Sequence, residues 1–303
     1  MIQQAVANIL DYHLRAPAGQ RVTIVYPQEK ADLAEALARG LSERGAHPRL
    51  LFVPDDAPNL PPAVREAFAD ANIGLIVLLS HAMWSRQGLA RYFLMRDGQP
   101  SLDVRPSPLF VDTVIARESF LRIYASDPQE DRAYLESLRQ TLPESTTVRV
   151  TAPGGTDLTF RSRDWQLCGL TEVLTAPAEG SAEGVIVADL SVFYGLVSSP
   201  IELQLEGGRL VSMRCPDPTD RLFRMYVEEM ERRFDEGEAN RRLAEVGVGG
   251  NGGARPSGVL MEDEAVRGTC HFCFGDNTRY GGTNASHWHG GTVVVREPRF
   301  TVG

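Results

Sequence analysis

Arg21-Val22-Thr23-Ile24-Val25-Tyr26 is the stretch that decides the fold. Its β-branched and aromatic side chains suit a strand. The segment that follows, Glu29 to Arg44, is rich in Ala, Leu and Glu and stops at Gly45, as a helix does. A second β-rich run, Pro48 to Val53, completes a βαβ unit. The alternation extends outward from there. Gln3 to Leu14 repeats apolar residues at helical spacing, Pro61 to Ala71 predicts a helix, and Ile73 to Leu79 a strand. That strand is apolar on both faces, as a central strand of a parallel sheet is. Pro108 to Val114 predicts a further strand, and Glu130 to Thr141 a helix after the turn at Asp127-Pro128. The expectation is a doubly wound α/β domain over residues 1–144 with right-handed crossovers. Tyr26-Pro27-Gln28-Glu29 has no glycine, so the turn after the first strand does not support a dinucleotide site.

From about residue 145 the texture changes. Thr146 to Thr151 and Asp157 to Arg161 flank Pro153-Gly154-Gly155 and predict a hairpin. Short strands, glycines and turns continue to the C-terminus, interrupted by one charged helix, Pro218 to Glu236. The second domain, residues 145–303, is therefore expected to be a β-rich α+β unit. With 303 residues the chain is long enough for two such domains. Its net charge of -9 offers no basic face to track a phosphate backbone, which argues against nucleic acid as a partner. No apolar run approaches the roughly 20 residues of a membrane span. The amphipathic start, which includes Asp11, lacks a signal-peptide pattern. Four cysteines without a secretory pattern favour a reduced, cytoplasmic protein.

The chemistry concentrates in the last sixty residues. Three of the six histidines, His271, His287 and His289, fall there with Glu245, Cys270 and Cys273. Imidazole, carboxylate and thiolate are the common ligands of first-row metals. If Thr269 to Phe274 is a strand, alternation puts His271 and Cys273 on one face, and Cys270 and Phe272 on the other. The same rule puts His287 and His289 on one face of their strand, opposite Trp288. Three imidazoles from neighbouring strands can converge on one ion, although each alone also reads as a buried core histidine. Cysteine ligation is the weaker reading, because a structural zinc site usually uses two ligand pairs at recognisable spacing. The glycine-dense run from Val246 to Gly258 lacks the Lys-Ser/Thr or helix start of a phosphate cradle and reads as a structural loop beside a cavity.

Four segments then occur in a telling order. They are Thr171-Glu172-Val173-Leu174-Thr175-Ala176-Pro177, Ala244-Glu245-Val246-Gly247-Val248-Gly249-Gly250-Asn251, the run Glu262-Asp263-Glu264 leading to Gly268-Thr269-Cys270-His271-Phe272-Cys273-Phe274-Gly275, and Gly281-Gly282-Thr283-Asn284-Ala285-Ser286-His287-Trp288-His289. Together they resemble the thermophilic metallo-aminopeptidases of the aminopeptidase T type, and are similar also to 2,5-dihydroxypyridine 5,6-dioxygenase, an iron enzyme that cleaves a pyridine ring. The resemblance implies a two-metal site in which Glu172, Glu245 and His271 match family ligands. The family's closing His-x-Asp motif has two possible registers. Its histidine at His287 puts its aspartate at His289; its histidine at His289 puts the aspartate at Gly291. The first is preferred, because Ser286 precedes the histidine as a serine often does in the family. In both registers the carboxylate is absent, which makes a single ion easier to hold. His271, His287 and His289 would then approach the two-histidine, one-carboxylate set of mononuclear Fe(II) oxygenases.

Three functions follow as expectations. The first is a metal-dependent hydrolase with zinc, cobalt or manganese held by Glu172, Glu245, His271, His287 and His289. A metal-activated water would attack a peptide or amide bond. Glu172 or Glu179 is the candidate base, and Tyr280 and Arg279 are candidate contacts to substrate. The second is a mononuclear Fe2+ ring-cleaving dioxygenase acting on a small hydroxylated aromatic, with Phe272, Phe274 and Trp288 lining an apolar pocket. The third is a metal-free pseudoenzyme or binding protein. The partner is a peptide or small-molecule substrate, and the resemblance implies a homodimer.

Overall fold

The computed structural model describes residues 1–14, 16–57, 59, 61–70, 72–78, 80, 109–112, 116–142 and 144–302. Two compact units divide the chain, Met1–Ser126 and Asp127–Gly303. In the first, strands β1 (Arg21–Tyr26), β2 (His47–Phe52), β3 (Gly74–Leu78) and β4 (Leu109–Asp112) lie in the order β2-β1-β3-β4, with every pairing parallel. Ile24 of β1 stands between Leu50 and Ile76, and β3 is buried along its whole length. Parallel strands need crossover segments, and helices α1 (Ile2–Asn8), α2 (Ala31–Glu43), α3 (Pro62–Ala69) and α4 (Arg117–Tyr124) flank this sheet. The first unit is thus the doubly wound α/β unit expected. The ends of several expected elements, Ala71, Leu79, Pro108 and Val114, lie outside the described residues.

Helix α2 buries Leu33, Ala34, Leu37, Gly40 and Leu41, the three-to-four spacing of a helix with one face on a core. Gly40 has a specific task there. A Cβ at this position would stand 2.7 Å from Leu10 Cδ1 and 3.1 Å from Val6 Cγ1, so glycine lets α2 approach the N-terminal helical segment closely.

The second unit opens with helix α5 (Pro128–Thr141), capped by Asp127, whose side chain accepts from the Gln129 and Glu130 amides. The boundary expected at 144/145 puts this helix with the first domain. Its fully buried Leu135 instead belongs to the hydrophobic core of the second unit, and its buried Asp131 pairs with Arg267 at 2.7 Å. The strands that follow are β5 (Thr147–Thr151), β6 (Asp157–Arg161), β7 (Gln166–Cys168), β8 (Glu172–Thr175), β9 (Glu183–Ala188), β10 (Ser191–Val192), β11 (Gly195–Leu196), β12 (Ile201–Glu206) and β13 (Arg209–Arg214). Helix α6 (Arg221–Glu236), strand β14 (Leu243–Gly249), the short helix α7 (Leu260–Ala265), and strands β15 (Thr269–Gly275), β16 (His289–Arg296) and β17 (Arg299–Val302) complete the unit.

These strands form two antiparallel sheets. One has the order β11-β10-β16-β15-β14-β8-β7, the other β13-β12-β9-β6-β5-β17. A single core draws on both: Val148, Val150, Leu158, Phe160, Ile186, Leu203 and Leu205 from the second sheet, Val173, Val246, Val248, Cys270, Phe272, Phe274, Val293 and Val295 from the first. Each strand gives every second residue to that core. The residues between them, among them Glu172, Glu245, Gly247, His271, Cys273 and Thr292, therefore lie on the other face of the seven-stranded sheet. This face is also buried along β14 and β15. Among the described residues no helix is long and apolar enough to cross a membrane.

Candidate metal centre

Three central strands supply the centre, and their register sets its geometry. Glu172 on β8 pairs with Gly249 of β14; on the other side of β14, Glu245 pairs with Cys273 and Gly247 with His271. Gly247 is the space that makes the arrangement possible. A Cβ there would stand 2.1 Å from His271 Cε1 and 2.2 Å from Nε2, so the ring lies across the bare backbone of β14. From that position His271 Nε2 faces Glu245 Oε1 at 3.1 Å and Glu172 Oε2 at 3.3 Å. Gly249 serves a similar purpose on the covering side. A Cβ there would meet the backbone oxygens of Val266 at 2.2 Å and Glu264 at 2.5 Å, so glycine admits the end of α7 onto the sheet.

Glu245 has a second partner. His289 Nε2 lies 3.1 Å from Glu245 Oε2, and His289 Nδ1 donates to the Asp276 carbonyl at 2.7 Å. That donation fixes the tautomer and orients Nε2 into the site. The two carboxylate oxygens of Glu245 thus serve two different imidazoles. Cys273 and Glu264 join them. One donor atom from each of Glu172, Glu245 and His271 lies within 4.8 Å of the others, and the same is true of Glu245, Cys273 and His289, and of Glu264, His271 and Cys273.

The charge balance is unusual for a protein interior. Glu172, Glu245 and Glu264 are all buried, with His271 almost inaccessible between them. Burial pushes Glu172 up, His271 and Glu245 acting on it with opposite sign. Burial, with Glu172 and Glu245 nearby, raises Glu264 to about 8 despite His271. Burial also opposes charge on Glu245, but hydrogen bonds with His271 and His289 hold it well below the usual carboxylate range. His271 is disfavoured as a cation by burial, yet Glu264, Glu172 and Glu245 together raise it to about 10. Its Nδ1 is buried without a hydrogen-bond partner among the described residues. A concentration of buried acids around imidazoles and a thiol is the donor chemistry a divalent ion satisfies. The residues fit a metal.

Not all the expected residues gather here. His287 stands apart from this cluster: β16 begins at His289, so His287 precedes the strand and the face-sharing rule does not reach it. Its side chain is 55% exposed, and its Nε2 lies 3.1 Å from Glu236 Oε2 on α6. His287→Ala is expected to change metal content and turnover by less than about twofold, as for an exposed pair; metal analysis with steady-state kinetics checks this. Glu179 is engaged elsewhere, in the loop before β16. Burial opposes its charge, but the Thr283 amide, Arg163 and Asn277 hold its carboxyl down at about 2. Asn277 Nδ2 donates to it at 3.0 Å, the Thr283 N–H at 2.6 Å and Arg163 Nη2 at 2.7 Å, so Glu179 anchors the loop that leads to β16. Because its folded pKa lies below the ordinary 4.5, its contribution is present above pH 4.5 and is lost as pH falls toward 2. Urea melts from pH 7 down to pH 3 are expected to show that loss, on the order of 1–2 kcal/mol after screening, and Glu179→Gln to flatten it.

Tyr280 packs against His289, ring centroids 5.6 Å apart, and the Arg279 guanidinium lies over the Tyr280 ring at 4.7 Å. Burial, followed by the Glu245 charge, holds the Tyr280 phenol well above its usual range, so it stays a donor. Phe272 and Phe274 are fully buried in the core between the sheets and line no pocket on this face. Glu264 and Cys273 are donors of this cluster that lie outside the expected ligand set. Alternation with His271 pointed to Cys273; Glu264 carried no signal beyond its place in the acidic run Glu262-Asp263-Glu264.

The sequence matches no protein-family model and no curated protein. Its fold, however, is found among solved structures. The 2,5-dihydroxypyridine dioxygenase of Pseudomonas putida KT2440 superposes with a TM-score of 0.70 at 15% identity, over 99% of this chain and 93% of that one. Wild-type AmpT from Thermus thermophilus superposes with a TM-score of 0.67 at 18% identity, over 99% of this chain and 94% of that one. The chain therefore has the fold shared by both families that its motifs resemble.

Proposed function

We propose that this chain is a metal-dependent hydrolase that cleaves a peptide or related amide bond, with its ions held on either side of Glu245. The observation that carries the reading is the division of labour at that carboxylate: Oε1 faces His271 and Glu172, and Oε2 faces His289. Each oxygen of this carboxylate can serve a separate ion, and the donors of His271 and His289 fall in different clusters. A mononuclear oxygenase would instead gather both imidazoles and one carboxylate around a single point. Phe272 and Phe274, two of the three residues expected to line an oxygenase pocket, lie instead in the core, which supports the hydrolase reading.

In this reading Glu172, Glu245 and His271 would hold one ion, and Glu245 and His289 would hold the other. The histidine of the His-x-Asp motif then corresponds to His289 and its aspartate to Gly291. Bound divalent metal supplies Lewis acidity and lowers the pKa of water. The protein's own groups do the rest. Asp276 locks the His289 tautomer, Gly247 admits the His271 ring, and α7 closes Glu264 over the site. Glu264, a buried carboxyl beside His271 and Cys273, stands where it can pass a proton between water and a leaving nitrogen. Tyr280, kept protonated beside His289, can donate to a developing oxyanion.

The test is loading with zinc, cobalt or manganese, followed by assay of leucine p-nitroanilide hydrolysis and of oxygen uptake with a hydroxypyridine. The expected outcome is about two ions per chain and release of p-nitroaniline. One iron per chain with oxygen uptake would replace this reading with the oxygenase.

A further inference from the structure

We propose that Cys273 is a thiolate ligand of this centre, completing the half-site of Glu245 and His289 and biasing it toward thiophilic ions such as zinc and cobalt. This inference rests on the metal-binding reading above. It stands on four observations. Cys273 alternates with core residues Phe272 and Phe274 along β15, which turns its side chain to the same face as His271. It pairs in register with Glu245, and the irregularity between Phe272 and Phe274 leaves it out of the β15–β16 ladder. Its sulfur falls within 4.8 Å of donors from Glu245 and His289 and, separately, from Glu264 and His271. Finally, its Sγ is buried 3.1 Å from Thr292 Oγ1, a hydroxyl that can donate to a thiolate and orient it.

The donors of this half-site lie within 4.8 Å of one another, with His289 Nε2 3.1 Å from Glu245 Oε2, a spread that brackets the spacing of ligands on one ion. Ligand atoms at about 2.0–2.3 Å around a tetrahedral ion lie roughly 3.3–3.8 Å apart. Glu245, His289 and Cys273 supply an oxygen, a nitrogen and a sulfur, which leaves one position for water. Formation of the sulfur–metal bond breaks the S–H bond, and the proton passes to buffer. Without the sulfur this half-site has one imidazole and half of a shared carboxylate, a set that holds any divalent ion weakly. With it, the soft donor favours zinc and cobalt over manganese.

Cobalt(II) loading of the full chain reads the sulfur directly, because a thiolate on cobalt gives an intense near-ultraviolet charge-transfer band that oxygen and nitrogen ligands do not. Wild type is expected to show the band and Cys168→Ser to keep it. Cys273→Ser and Cys273→Ala are expected to lose it while still binding cobalt at the half-site of Glu172 and His271. Both Cys273 variants should also bind zinc at the affected position about tenfold or more weakly, with manganese binding changed far less. Cobalt bound without the band in wild type overturns the role of Cys273 and leaves the metal reading intact. A band that survives in both Cys273 variants and disappears in Cys168→Ser transfers the ligand to Cys168 and overturns it equally. No stoichiometric cobalt in wild type, checked by metal analysis, removes the metal reading and this inference with it. Circular dichroism on each variant separates loss of ligand from loss of fold, and the serine variant serves if alanine leaves a cavity that unfolds the sheet.

Discussion

Glu245→Gln is expected to strip metal from both half-sites and to lower hydrolytic turnover by about 10³-fold or more, equivalent to ~4 kcal/mol of transition-state stabilisation. The reason is geometric. Both imidazoles of the centre are held by this one side chain, His271 at Oε1 and His289 at Oε2. An amide of the same shape offers one weak acceptor where a carboxylate offered two charged ones. Loss of charge also leaves the buried His271 with less compensation, so the metal-free protein is expected to lose roughly 3 kcal/mol of stability. Metal analysis, kcat and urea melts on the same preparation read all three effects. Retention of one full ion and substantial turnover would mean that the two histidines do not depend on Glu245.

Gly247→Ala is expected to have the next largest effect, without touching a candidate ligand. The added methyl would fall 2.1 Å from His271 Cε1, so the ring must leave its place across β14. The displaced imidazole can no longer face Glu172 and Glu245 together. Metal affinity at that half-site should fall by about 100-fold, the upper range for loss of a positioning contact. The overpacking itself should cost about 1–3 kcal/mol. The backbone gives alanine no reason to fail here, since Gly247 is not among the positive-φ glycines. Pairing the variant with His271→Ala separates the two causes. Once the ring is absent, Gly247→Ala should add little further loss of stability or metal. A second loss as large as the first would place the effect of Gly247 elsewhere.

How much of this was legible before folding differs between elements for physical reasons. The run Arg21 to Tyr26 declared its strand because β-branched residues and a following helix pattern are local signals. The same holds for the two-residue period that sends Cys270, Phe272 and Phe274 to the core and leaves His271 and Cys273 on the other face. Strand ends are not local in this sense. Where β16 begins depends on the bonds that bind the loop from Asp276 to Trp288, such as Asn277 to Glu179 and Asn284 to the Gly275 carbonyl. That is why His287 reads as a partner of His289 and in fact pairs with Glu236. Helix α5 fits the βαβ rhythm equally well on either side of the boundary. Only the packing of Leu135 and the pairing of Asp131 with Arg267 assign it to the second unit. Gly247 signals a close approach in any strand, but which ring approaches is a matter of register, and register between β14 and β15 is a long-range fact. Glu264 was the least legible residue, because an acidic triplet on a short helix ordinarily faces solvent, and here it is turned inward.

The most direct test of the central claim is anomalous scattering from crystals of the zinc-loaded protein. The account predicts two peaks flanking the Glu245 carboxylate, one beside Glu172 and His271 and the other beside His289 and Cys273. A single peak equidistant from both imidazoles, or metal seated instead between His287 and Glu236, would contradict it.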